Sequence, residues 1–229
     1  MTTGDESGIS APSMYLPAQF ASADVQHAIR VMREQVLASL ISVDDGGVPF
    51  VSHLPLHVEQ NGTELTLLGH LSRANKHVQW LRARPQALVT YVGSHGYLSP
   101  RFYPDRERVP SWNYLAVHCR VCVELIDDAV QADALLKTLI ADHEPSYASQ
   151  WRSLPETFTQ GMLKGIVAFR AHVQQLEIKL KLNQHRPLSH AAMAAAYAHG
   201  TPGEQGLRAW MEVLGLVDAT GAVPPAADV

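Results

Sequence analysis

Hydrophobic positions in this chain recur with two different periods, and the switches between them mark out its elements. Val25, Ile29, Met32 and Val36 fall on one helical face behind Asp24, which predicts a helix with an aspartate N-cap. Segments 36–43 and 48–53 flank Asp44-Asp45-Gly46-Gly47, and segments 55–59 and 64–69 flank Gln60-Asn61-Gly62-Thr63. Strand-like runs joined by such glycine-bearing turns predict two antiparallel hairpins. Residues 72–84 read as a short helix ended by Pro85, and 87–92 as a buried strand. Leu115, Val117, Cys119, Val121, Val123 and Leu125 alternate along a long strand over 115–127. Leu135, Leu136, Leu139 and Ile140 then make 131–143 an amphipathic helix. In 166–182 the ending Leu176, Ile178, Leu180 and Leu182, alternating with Glu177, Lys179 and Lys181, is the signature of a half-buried strand. Pro187 opens an alanine-rich helix to residue 199, and 203–214 reads as another helix. Residues 1–12, small and polar, are expected to be disordered, and the last residues to form a tail. About six antiparallel strands interrupted by short helices predict a mainly β fold with peripheral helices, closed or partly closed into a barrel.

Composition narrows the function classes. A chain of 229 residues with 46% hydrophobic content can bury one sizeable core, so one domain with appendages is expected. Its 18 basic and 22 acidic residues leave a net charge of -4, which supplies no global footprint for nucleic acid or an anionic membrane. No apolar stretch approaches the roughly 20 residues of a membrane span, and no basic-then-apolar leader opens the chain. A cytoplasmic protein is the expectation. Cys119 and Cys122 resemble a Cys-x-x-Cys pair, yet three positions apart on a strand puts them on opposite faces. Twelve histidines invite a metal, but His53 and His57 are separated by roughly 13 Å of strand and no acidic ligand pattern accompanies the others. No metal site is expected.

The densest chemistry lies between Tyr91 and His118. Gly93, His95, Gly96, Tyr97, Pro100, Tyr103, Trp112, Asn113, Tyr114 and His118 crowd what reads as one connection between two apolar runs. Aromatic rings stack on a planar ligand, and Asn and His offer donors and acceptors to its edge; an aromatic loop packed on its own barrel is the competing reading. His70-Leu71-Ser72-Arg73-Ala74-Asn75-Lys76 leaves a strand and enters a helix, where backbone N–H groups, the dipole and a guanidinium would favour a phosphate.

Several of these segments, taken in order, resemble one family. Ser52-His53-Leu54-Pro55, then Leu68-Gly69-His70-Leu71-Ser72-Arg73-Ala74-Asn75, the block from Gly93 to Tyr103, and Val109-Pro110-Ser111-Trp112-Asn113-Tyr114 with His118 are similar to the PaiB-type FMN-binding negative transcriptional regulators. Met14-Tyr15-Leu16-Pro17 and Lys179-Leu180-Lys181-Leu182-Asn183-Gln184-His185-Arg186 resemble that family's ends. Asn183 and His185 stand where Ser and Asn are usual in the family, and Arg101-Phe102-Tyr103 where Ser-Trp-Tyr is usual. The resemblance implies an FMN-binding split β-barrel related to pyridoxamine-phosphate-oxidase-like flavoproteins, over residues 14–186, followed by a helical C-terminal extension and tail over 187–229. It further implies a homodimer with FMN where the two subunits meet.

On that resemblance Ser72 and Arg73 hold the phosphate, with His70 and Asn75 beside them. Ser52, His53, Leu54 and Pro55 lie along the isoalloxazine, the proline freeing local backbone to face it. Trp112, Asn113 and His118 close the slot from the other side or from the other subunit, and Lys181 and Gln184 approach at the end of the last strand. A flavin-linked regulator is the first reading and a flavin-dependent oxidase or reductase the alternative; a structural dimer with a vestigial pocket is a third. A DNA partner would follow from the regulator role, although no basic patch or helix-turn-helix is visible and the C-terminal helices carry few cations.

Overall fold

The computed structural model describes residues 12–224, so the expected amino-terminal disorder and the end of the tail lie outside the described residues. Seven strands form one antiparallel sheet in the order β2-β1-β5-β6-β7-β4-β3. They are β1 (Leu37–Val43), β2 (Pro49–Pro55), β3 (His57–Asn61), β4 (Glu64–Ser72), β5 (Gln86–Leu98), β6 (Ser111–Ile126) and β7 (Ile166–Lys181). Both expected hairpins form, β1 with β2 and β3 with β4. The positive φ angles of Gly47 and Gly62 sit at their turns, where a side chain would be strained. Although far apart in sheet order, β2 and β4 come into contact, which bends the sheet around its core.

That core is one cluster that takes in Leu40, Val89, Tyr91, Val117 and Phe169 from the sheet and Ile29 and Met32 from helix α1 (Val25–Glu34). Asp24 caps α1 as expected, accepting from the Gln26 amide at 2.8 Å. Met193, Tyr197, Leu207, Trp210 and Met211 of α6 (His190–Ala198) and α7 (Pro202–Val213) belong to the same cluster. Helix α7 enters hard against β5: a Cβ on Gly203 would stand 2.5 Å from the His95 carbonyl oxygen, so only glycine permits this approach.

A second apolar cluster lies on the other face of the sheet. There α3 (Ala129–His143) sets Ala132, Leu135 and Leu139 against Leu68, Ile126 and Ala168 of β4, β6 and β7. Two short helices follow it, α4 (Tyr147–Ser153) and α5 (Glu156–Lys164), which no sequence pattern indicated. Neither has a fully buried residue, so neither needed an apolar stripe.

Two expectations are corrected. The segment from Tyr91 to His118 is not a loop, because β5 and β6 remain paired through a bulge at residues 92–95 as far as Leu98 and Ser111. Its aromatics Tyr97 and Trp112 are a cross-strand pair, and the connection proper is only residues 99–110. The helix expected over 72–84 is instead α2 (His77–Ala83), because Ser72 still pairs with Ile166 in the sheet and Asn75 Oδ1 accepts from the His77 amide at 3.0 Å. The cysteines fall on opposite faces as read, Cys119 buried and Cys122 half-buried, both free.

Candidate functional site

Alternation along β2 sorts the first group of candidates. Ser52 and Leu54 point into the barrel and are buried, whereas His53 and Pro55 point out and are exposed. Inside, Ser52 joins a polar cluster with a residue that sequence reasoning had passed over. His77, wholly buried, pairs through Nδ1 with Ser52 Oγ at 2.9 Å and through Nε2 with Ser42 Oγ at 2.8 Å. Asn75 completes the group by donating its Nδ2 to Ser52 Oγ at 3.0 Å. Ser52 and Asn75 therefore lock α2 onto β1 and β2 rather than face a ligand, and Leu54 is core.

Burial drives the His77 imidazole down to about 4, whereas an exposed histidine titrates near 6.5. Above pH 6.5 it is neutral folded or unfolded and its contribution to stability is complete. Between 6.5 and about 4 the unfolded chain takes up a proton that the fold refuses, so stability falls by up to about 1.4 kcal/mol per pH unit. Urea midpoints of the wild type and His77→Gln should diverge least at pH 4 and most at pH 7; parallel pH dependences would contradict this.

At the end of β4 two cavities open on the outer face of the sheet. One, of about 430 Å³, is lined by Arg73, Lys76 and Arg82. Arg73 donates Nε to the Lys164 carbonyl at 2.9 Å and Nη2 to that of Ile166 at 2.8 Å, leaving Nη1 3.8 Å from Asp127. Arg82 grips Asp127 in two-pronged fashion at 2.8 and 3.0 Å, which holds that carboxyl below its ordinary range. Three cations face one carboxylate here, so the groove favours an anion. Ser72, exposed, stands at its edge.

The other cavity, of about 330 Å³, sets Pro55 and His70 against Leu136, Leu139 and Ile140 of α3. Polar groups reach it from His70 on one side and from His143, Glu144 and Tyr147, at and just beyond the end of α3, on the other; the His70 Nδ1 is buried and has no hydrogen-bond partner among the described residues. A buried polar atom left unsatisfied costs about 1–3 kcal/mol, so a ligand edge that reaches it gains at once. Burial also holds this imidazole below its ordinary pKa, hence neutral. The contribution of α3 was not foreseen, since its leucines read simply as the core face of an amphipathic helix.

The remaining candidates lie elsewhere. Trp112, 54% exposed, meets Tyr97 edge to face with ring centroids 6.0 Å apart. Lys181 donates to Ser111 Oγ at 2.8 Å and lies over the Tyr114 ring, and desolvation lowers its pKa. His118 is mid-strand beneath the amino-terminal segment, with Nδ1 3.0 Å from Ser13 Oγ, and Ser13 is in turn anchored on Glu177. Asn113 does not face a slot: it is fully buried and donates to Tyr197 Oη at 3.2 Å and Met193 Sδ at 3.1 Å, pinning α6 to β6. Gln184 likewise turns back on its own strand, with Nε2 bonded to the Leu180 carbonyl and Oε1 accepting from the Leu182 amide. β7 separates Ser72, which pairs with Ile166, from Tyr114, which pairs with Lys181. Its 16 residues trace a path of roughly 50 Å at ~3.3 Å each.

Comparisons with known proteins identify the family and the fold. A family described as "Putative FMN-binding domain" matches residues 14–175. The chain is 27% identical over 176 residues to the protease synthase and sporulation protein PAI 2 of Bacillus subtilis (strain 168), covering 76% of this chain and 83% of that protein. In fold it is similar to the flavocytochrome Anf3 from Azotobacter vinelandii, with a TM-score of 0.55 at 17% identity over 71% of this chain and 70% of the other. It is also similar to the FAD and heme binding protein from Mycobacterium smegmatis, with a TM-score of 0.52 at 20% identity over 70% and 73%. The shared fold is the seven-stranded antiparallel sheet, to which this chain adds helices at the C-terminus.

Proposed function

Because the chain belongs to this family of FMN-binding domains, we propose that two copies enclose FMN between them and that the protein acts as a flavin-linked regulator. The observation that supports this placement is the orphaned Nδ1 of His70 beside the leucines of α3, next to a groove of cations. A ligand with a flat, polar-edged ring and a phosphate tail answers both features, and FMN is such a ligand. Arg73, Lys76 and Arg82 would hold its phosphate; Pro55 and the α3 leucines would pack its ring, and His70 would reach the ring edge. When bound, FMN supplies reversible electron transfer.

A second copy is supported by two observations. Trp112, Tyr114 and Lys181 are far along the strands from Arg73, so one flavin touches both groups most directly when they come from different chains. The outer sheet face also exposes Leu37 (66%), Val92 (64%) and Val51 (43%), an apolar row of the kind that interfaces cover.

The regulator reading follows the family resemblance, and its output does not fall naturally to the C-terminal helices. α6 has no Lys or Arg, and the Arg208 of α7 is paired with Glu212. An operator would have to meet another surface. The oxidoreductase alternative draws on one observation, the His70 imidazole on the ring cavity, a titratable group that burial keeps neutral and that could hold or relay a proton at the ring edge.

Sedimentation of the purified protein at micromolar concentration should give a dimer that carries flavin absorbance. A stable monomer that retains FMN would overturn the two-copy site. Anaerobic addition of NADH or NADPH then separates the outputs: a flavin that stays oxidised supports the regulator, and rapid bleaching followed by recovery in air supports the enzyme.

A further inference from the structure

A third cavity lies away from the flavin groove, at the opposite end of β6 and β7. It occupies about 190 Å³ between the β5–β6 connection and the turn that follows β7. Its walls are Tyr103 and Arg108 on one side and His185, Arg186, Pro187 and Leu188 on the other.

Both walls are fixed. Asn183 takes a φ of 62°, a left-handed backbone that asparagine tolerates better than most residues. Its side chain donates to Ser189 Oγ at 2.8 Å, and its carbonyl accepts from the Arg186 amide at 3.0 Å and meets His190 Nε2 at 3.0 Å. Ser189 Oγ in turn donates to the Arg186 carbonyl at 2.8 Å. The turn that presents His185 and Arg186 is thus held by four hydrogen bonds, three of them made by the buried side chains of Asn183, Ser189 and His190. Such over-determined left-handed positions gather where a loop must hold a ligand group in place.

On the facing wall the Arg108 guanidinium lies 5.1 Å over the Tyr103 ring and gives Nη2 to Asp105 at 2.8 Å. Its Nε–H is buried and has no hydrogen-bond partner among the described residues. Two arginines and one aspartate therefore line a small, mostly apolar cavity, and Arg108 keeps one charged donor without a partner among the described residues.

We propose that this cavity is a subsite for a small monocarboxylate with an apolar body, held by Arg108 and Arg186. The planar fork of a guanidinium matches a carboxylate. Tyr103, Pro187 and Leu188 offer packing surface to a body of about the size of a benzene ring. Inorganic phosphate, strongly hydrated and without such a body, gains little from these walls. The subsite stands on its own residues and does not rest on the flavin placement.

Benzoate is the probe, titrated into the full-length protein while the ¹⁵Nε–H resonance of Arg108 is followed. The expected result is a saturable shift of that resonance with benzoate and none with benzamide, which has the same ring and no charge. Arg108→Lys should weaken benzoate by about tenfold or more, the loss of one charged hydrogen bond. Arg186→Ala, a change at an exposed side chain, should weaken it in the same direction and serves if the Arg108 variant misfolds. Absence of a saturable shift, an equal response to benzamide, or inorganic phosphate binding as tightly as benzoate would each overturn the assignment.

Discussion

Replacing Trp210 by alanine is expected to cost about 3–5 kcal/mol of stability, the range for truncating a large buried aromatic. The ring is fully buried, and its Nε1 donates to Glu34 Oε2 at 2.8 Å. It meets the His27 ring edge to face at 5.6 Å and lies under the Arg30 guanidinium at 4.8 Å. Truncation leaves a void between α7 and α1 and strips Glu34 of its indole partner, so two separate costs add. Trp210→Phe, which keeps most of the volume, should lose distinctly less. Urea unfolding of the three proteins checks the ordering; a loss under about 1 kcal/mol for the alanine variant would mean that α7 packs only loosely on the barrel. The result bears on the whole C-terminal segment, because Tyr197 and Met193 share that core with the β5 and β6 strands.

The regular parts of the fold were legible because their periods are unambiguous. Val25, Ile29 and Met32 line one face of α1 as expected, although Val36, expected on the same face, lies beyond the end of the helix at Glu34, and Leu176 to Leu180 alternate along β7. The conformation of residues 91–118 was not legible, since glycine and proline beside aromatics read as a connection, whereas a bulge lets the same residues stay paired. Residue type also said little about direction. Ser52, Asn75, Asn113 and Gln184 have the polarity of ligand-binding groups, but each spends it on its own chain, and only alternation along β2 tells Ser52 from its outward neighbour His53. The positions of His70 and Arg73 were legible, His70 near the end of β4 and Arg73 just beyond it, because the strand that carries them is regular. The apolar wall of α3 was not, because packing on the sheet and lining a cavity ask for the same leucines.

The other large effect is expected at Arg73. In the cationic groove proposed to hold the phosphate, it has one Nη group beyond hydrogen-bonding distance of Asp127, while its other two nitrogens brace the carbonyls of Lys164 and Ile166. Removing the guanidinium thus takes a charged partner from the phosphate and a brace from the α5–β7 junction. The first loss is worth about 1.5–3 kcal/mol, a roughly tenfold to hundredfold fall in FMN affinity. Riboflavin, which has the same ring and ribityl chain without the phosphate, feels only the second. FMN and riboflavin titrated in parallel against the wild type and Arg73→Ala separate the two contributions directly. With the phosphate at the end of β4, the variant loses FMN by tenfold or more and holds riboflavin nearly as the wild type does; equal losses for both ligands, or none for FMN, would contradict that placement.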